Sequence, residues 1–187
     1  MRSLHQFIVK PVGDKRYNNT KEIGGIDFIV STSEEDFKSS NRHAEVVEVP
    51  ISYKGEISKG DILLVHHNVF KFYNDMRGRR RSGKSFFKDN LFFLDADQFF
   101  AYKKDDVWKG YDRYCFVRPI DKEESYIYKP FTHEPLMGEV VIANSKLKSY
   151  GIDSGQKVSF KPDSEYEFIV DDETLYRMYD HQITMTV

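Results

Sequence analysis

The chain of 187 residues holds a single cysteine, Cys115, and a single tryptophan, Trp108. One cysteine excludes an internal disulfide framework and a structural zinc site of the cysteine-rich kind. It fits a reducing compartment, so the cytoplasm is the expected location. No apolar run approaches the ~20 residues of a membrane span. The opening MRSLHQFIVKP is also too short in apolar residues for a signal peptide. A soluble chain without a membrane partner is expected. An excess of one charge sign is missing too: 28 Lys and Arg face 30 Asp and Glu, for a formal net charge of -2. That balance disfavours a protein that coats nucleic acid by general basicity. No helical apolar period is sustained over a dozen residues or so.

What the chain does have is apolar and aromatic material. It is 40% hydrophobic and 15% aromatic, enough to build a core and to exclude global disorder. These residues fall in short runs such as HQFIVKP, HAEVVEVP, GDILLVHH, YCFVRPI, GEVVIA, KVSFKP, YEFIV and ITMTV. Gly, Pro, Asp, Asn or Ser bound most of them, which is the pattern of short strands between turns. The expected class is all-β, built as small barrels or sandwiches.

Four of these runs occur twice in the same order. QFIVKPV and YCFVRPI begin at 6 and 114 (offset 108), AEVV and GEVV at 44 and 138 (offset 94). ISKGDILLVHH and IDSGQKVSFKP begin at 57 and 152 (offset 95), LFFLDADQFFAY and LYRMYDHQITMT at 91 and 175 (offset 84). Each large drop in offset marks extra length in the first copy, 14 residues after the first strand (108 to 94) and 11 in a basic stretch (95 to 84). Two copies of one β unit are expected, over 1–108 and 109–187, joined by the polar hinge KKDDVWKGYD with Trp108 packing between them.

The basic stretch contains GRRRSGKS, Gly78 to Ser85, a full match to the phosphate-loop pattern G-x-x-x-x-G-K-[ST]. That chemistry needs a buried strand, the loop, and a helix starting at the Lys-Ser end to aim its dipole at the phosphates. FFKDNLFFLD follows instead, with a turn signal at Asp89-Asn90 and no room for a crossover helix. Nucleotide hydrolysis is therefore not expected. The stretch 74–89 reads as a solvated loop insertion, with Arg79, Arg80, Arg81 and Lys84 as candidate anion contacts.

The other extra length forms a loop over about 13–42. Loops this long inside a small domain are usually functional or disordered. Its polar flanks enclose an apolar island, Gly24, Gly25, Ile26, Phe28, Ile29 and Val30. An apolar segment on polar arms is suited to docking in a partner's groove; the alternative is an extra hairpin strand of the barrel.

With these segments in order, the chain resembles the GroES-type co-chaperonins, the lids of chaperonins. FIVKP (7–11), GGIDFIV (24–30), AEVVEV (44–49), SKGDILLV (58–65) and LDADQFFAY (94–102) follow that family's frame. CFVRP (115–119), MGEVVIA (137–143), DSGQKVSF (153–160) and MYDHQITMTV (178–187) repeat it. There are departures: Asp27 interrupts the apolar island, Ala44 stands where the family has Gly, and the second copy lacks Gly-Gly-Ile. Its shorter loop offers Ile127, Tyr128 and Phe131 as second contacts. The roof segments, PISYKGEIS and NSKLKSYGID, are short, which implies a low dome. Tandem, roof-poor lids resemble those of viruses or organelles, and a bacteriophage origin with a host-cytoplasm location is one expectation.

The resemblance implies two tandem GroES-like, partly open Greek-key β-barrels. It implies a non-enzymatic co-chaperonin without cofactor or metal, forming a homo-oligomeric ring. The ring would cap a GroEL-type chaperonin over an encapsulated client, and ATP would be bound by the chaperonin. The rival readings are a nucleic-acid-binding pair of small β-barrels and a viral structural adaptor. Cys115 is an expected core residue, and His66-His67 lack carboxylate or cysteine partners at metal-ligand spacing.

Overall fold

The computed structural model describes residues 3–18, 20–23, 26–29, 39–121 and 133–187. The chain divides into two compact units, Met1–Asp106 and Val107–Val187. The first holds β1 (Phe7–Pro11), β2 (Thr20–Ile23), β3 (Ile26–Ile29), β4 (His43–Glu48), β5 (Ile62–Val65), β6 (Phe72–Asn74), β7 (Arg80–Ser82), β8 (Phe86–Lys88), β9 (Leu91–Leu94) and β10 (Phe99–Lys104). The second holds β11 (Val107–Gly110), β12 (Tyr114–Asp121), β13 (His133–Ile142), α1 (Ser145–Ser149), β14 (Lys157–Phe160), β15 (Tyr166–Val170), β16 (Glu173–Tyr179) and β17 (Ile183–Thr186). The protein is all-β apart from α1 and three short 3-10 turns among the described residues.

Within the first unit the main sheet runs β10-β5-β4-β1-β9-β8; in the second it runs β17-β14-β13-β12-β16-β15. Every described pairing in these two runs is antiparallel. Neither run returns on itself: β10 does not pair with β8, nor β17 with β15, so both sheets are open. β2–β3 and β6–β7 are separate two-stranded hairpins.

The two sheets share one pairing frame, residue for residue. Val9 faces Val46, Lys10 faces Glu45 and Pro11 faces Ala44. Val117 faces Val140, Arg118 faces Glu139 and Pro119 faces Gly138, at offsets 108 and 94. A register shift falls between Ile8 and Val9 in one unit and between Phe116 and Val117 in the other. Phe7 faces Leu94 as Cys115 faces Met178, and Leu63 faces Tyr102 as Val158 faces Thr186. Opposite charges sit at one shared position, with Lys10 Nζ 3.1 Å from Glu45 and Arg118 Nη1 3.4 Å from Glu139. The turn before the last strand is built alike: Gln98 Oε1 accepts from Asp95 N at 3.0 Å, and Gln182 Oε1 accepts from Tyr179 N at 2.8 Å.

One set of inward positions recurs at every second residue along these strands, and Ile8, Leu64 and Phe116 between them are buried too. Phe7, Val9, Val46, Leu63, Val65 and Leu94 are buried in the first unit. Their counterparts Cys115, Val117, Val140, Val158, Phe160 and Met178 form the core of the second, capped by Leu147 of α1. Each fully buried side chain contributes about 1.5–3 kcal/mol. Volumes trade places: Phe7 becomes Cys115, and Val65 becomes Phe160. Burial pushes the Cys115 thiol up to about 12, so it stays a neutral core group.

The basic stretch is not a plain loop. β6 and β7 pair as Phe72 with Ser82, Tyr73 with Arg81 and Asn74 with Arg80. Gly78 sits at φ 71 in the turn, and after Ser85 the chain enters β8, not a helix. The phosphate-loop geometry is therefore absent. In the hinge, Asp105 and Asp106 both have positive φ (50 and 61), a tight-turn conformation that Asp tolerates. The Trp108 indole N–H donates to Asp171 Oδ2 at 2.9 Å inside the second unit.

One frame position separates the copies sharply. A Cβ on Gly138 would lie 2.2 Å from Val117 Cγ1 and 2.7 Å from Arg118 O, although its counterpart Ala44 carries one. Gly138→Ala should destabilise the protein by about 1–3 kcal/mol through overpacking. Ala44→Gly should cost about 1–2 kcal/mol, from backbone entropy and the loss of one buried methyl, with no steric clash. Denaturant unfolding of the two variants checks the difference.

Candidate functional site

The long excursion leaves the first sheet after Pro11 and returns at His43. Its neck is closed by buried polar groups. Tyr17 bridges Ser40, and Asn18 N donates to Ser39 O at 2.8 Å. Asn41 is buried and does most of the joining. Its Nδ2 donates to Val12 O at 2.9 Å and Lys15 O at 2.8 Å, while Oδ1 accepts from His43 N at 2.9 Å. Its own N–H donates to Arg16 O at 2.9 Å. Buried polar groups are tolerated when satisfied in this way.

Beyond the neck the chain forms the β2–β3 hairpin. Its register is Thr20–Ile29, Lys21–Phe28, Glu22–Asp27 and Ile23–Ile26. Three residues of the apolar island, Ile26, Phe28 and Ile29, therefore lie on β3, in a hairpin paired to neither main sheet. Gly24, Gly25 and Val30 lie outside the described residues. So do Ile127, Tyr128 and Phe131, in the stretch 122–132. That stretch leaves the second sheet where the first excursion leaves its own, between β12 and β13. Its described ends are joined by Asp121 and His133, with Nδ1 to Oδ1 at 2.7 Å.

The neck is also the seat of the basic hairpin. Tyr17 Oη accepts from Phe72 N at 2.8 Å, and Arg16 Nη1 donates to Ser82 Oγ at 3.0 Å. The Arg16 guanidinium lies 4.2 Å from the centre of the Phe72 ring, 4.7 Å from Phe92 and 5.1 Å from Phe86. Arg80 covers Phe72 at 3.8 Å. Burial lowers the Arg16 pKa, Tyr17 offsets part of that, and the Arg80 charge lowers it further. The candidate anion contacts Arg79, Arg80, Arg81 and Lys84 are all exposed. Sequence reading missed Asn41 and Arg16; an Asn at the end of a polar loop and an Arg after a turn carry no distinctive signal.

His66 and His67 lie with ring centres 4.1 Å apart and planes tilted by 31°, and no metal-ligating cluster of three or more occurs among the described residues. In the second unit a cleft of about 510 Å³ lies beside Tyr150, Ile152 and Met185. Two of its titratable residues, Asp180 and His181, are held by Arg113, at 3.5 and 2.9 Å. No described helix is long and apolar enough to cross a membrane.

Two outcomes are expected here. Asn41→Ala strands three backbone groups and should cost about 2 kcal/mol, with faster proteolytic cleavage between 18 and 39. His67 is held down to about 4, by burial first and then by the charges of His66, Arg42 and Lys71. A depressed histidine contributes its full stability above the unfolded pKa of 6.5 and loses it as pH falls toward 4. His67→Gln should remove roughly 1 kcal/mol of that acid sensitivity after allowance for solvent screening, visible in melting temperature against pH. No family model matches the chain, and no curated protein matches it.

Proposed function

We propose that the chain is a tandem GroES-type co-chaperonin, a non-enzymatic lid that caps a chaperonin ring through its apolar loop and assists ATP-dependent folding. The observation that carries this reading is where the long excursion leaves the frame. Two units share one pairing frame. In each, a segment departs between the first two core strands. In the first unit it delivers Ile26, Phe28 and Ile29 on a hairpin separate from the main sheet, above a neck closed by Asn41. The nearly all-β architecture is the coarse class that the resemblance implies, with both sheets open.

The mechanism follows from binding physics. A docking loop must be ordered when it binds, so a single loop binds weakly. Several chains in a homo-oligomeric ring convert weak contacts into one tight attachment by raising effective concentration. Gly24, Gly25, Ile26, Phe28, Ile29 and Val30 would enter an apolar groove of the chaperonin, with Ile127, Tyr128 and Phe131 as the second loop's contribution. The chaperonin binds the ATP, and the client lies in the closed chamber.

The test is ATP-dependent co-elution with a GroEL-type chaperonin, with ring size measured by light scattering. Phe28→Asp and Ile29→Asp should each abolish co-elution while leaving the melting temperature of the chain unchanged. Full binding by these variants removes the loop assignment. Absence of ATP-dependent association of the unmodified chain removes the co-chaperonin reading itself.

A further inference from the structure

We infer that the β6–β7 hairpin is a binding arm for single-stranded nucleic acid, gripping the phosphate backbone with its cations and stacking a base on Tyr73. This inference is independent of the chaperonin reading.

The charge distribution is the first support. Residues 71–88 contain seven cations (Lys71, Arg77, Arg79, Arg80, Arg81, Lys84, Lys88) and one carboxylate, Asp75, a local charge of +6. The whole chain is at -2, so the remainder carries -8. Most of this positive charge lies on or beside the β6–β7 hairpin, with Lys88 at the end of β8.

The hairpin's own carboxylate is committed to the turn. Asp75 Oδ1 accepts from Arg77 N and Arg79 N, both at 2.9 Å, and Oδ2 lies 3.4 Å from Arg81 Nε. The two backbone bonds, that of Arg79 first, and the Arg81 side chain hold its pKa below the usual value. Arg77, Arg79 and Lys84 are exposed and have no carboxylate partner among the described residues.

The arm is firmly seated. Phe72 lies between the Arg16 and Arg80 guanidiniums, and Tyr17 and Ser82 tie down its two strands. Gly83 N donates to Lys71 O at 3.1 Å and closes its base. A rigid mount reduces the ordering cost of binding.

Tyr73 decides between acidic partners. It is 55% exposed and stands directly across from Arg81. A phenol beside guanidiniums is the combination that binds single strands, since every base has a face to stack and every nucleotide a phosphate. An acidic peptide would use the cations and leave Tyr73 idle. A duplex keeps its bases stacked on one another.

The experiment measures binding of the full chain to a fluorescein-labelled oligothymidine of about 20 nucleotides, by anisotropy across a salt series. Binding that weakens with salt is expected. The triple variant Arg77→Ala, Arg79→Ala, Lys84→Ala should reduce the slope of log K against log salt by about 2, from about 0.7 per lost phosphate contact. Arg77 and Arg79 serve the turn only through backbone groups, their N–H to Asp75 Oδ1 and the Arg79 carbonyl to Asp75 N, which alanine keeps, so the fold survives. Tyr73→Ala should weaken binding about tenfold and leave the slope unchanged. Wild-type affinity in the triple variant overturns the inference. Equal affinity for polyglutamate of the same charge, or tighter binding of the corresponding duplex, also overturns it.

Discussion

The structure depends on the register between the first strand of each unit and its two neighbours. A slip of one residue would turn every inward side chain outward. The pairings Val9–Val46 and Val117–Val140 therefore decide which residues become core. The register shift just before each of them bends the strand at the same point in both units. Once the frame is set, connections can change length at little cost. From Pro11 to Ala44 the chain spends residues 12–43, and from Pro119 to Gly138 residues 120–137. Closing the longer connection costs only about 0.5 kcal/mol more. The fold can thus hold a long excursion without disturbing the sheet that carries it.

The same frame is filled by different side chains. Phe7 and Val65 in one unit stand where Cys115 and Phe160 stand in the other, and all four are buried. A large residue lost at one strand is matched by a larger one two strands away in the same sheet. Cores accept such exchanges when volume and pattern are kept. Identity between the units is consequently low while their pairing is the same. What repeats is alternation, turns and a few special positions such as Gln98 and Gln182.

This explains what was legible in the sequence. Strand alternation and turn residues are local signals, so the repeated runs and their offsets could be read directly. α1 could not, because five residues show no period; its only mark is Asn144, whose Oδ1 accepts from Leu147 N at 2.8 Å. The β6–β7 hairpin reads as loop in the sequence because its strands carry Arg and Asn in place of alternating apolar residues. Its signal was Asp75 three residues before Gly78, the turn that folds it. GRRRSGKS misleads because the pattern records residue types, whereas phosphate binding needs a helix after the lysine. At the neck, Asn41 acts through distant carbonyls at Val12 and Lys15, a relation no local window contains. The apolar island was readable as composition, and its strand pairing was not.

The two additions to the first unit are rooted in the same residues. Arg16 and Tyr17 form the neck of the excursion, and they also hold Phe72 and Ser82 at the base of the basic hairpin. Arg16 lies over Phe72, Phe86 and Phe92, which links the neck to the sheet through three aromatic faces. A guanidinium can do this because it is flat and weakly hydrated, so it stacks on rings while donating at its edge. A lysine would supply the charge without the plane. The hairpin gives the neck its aromatic cover, and the neck gives the hairpin its anchoring hydrogen bonds. Removal of either would leave the other with exposed rings or unpaired donors, so the two insertions stabilise one another as a single structural addition to the frame.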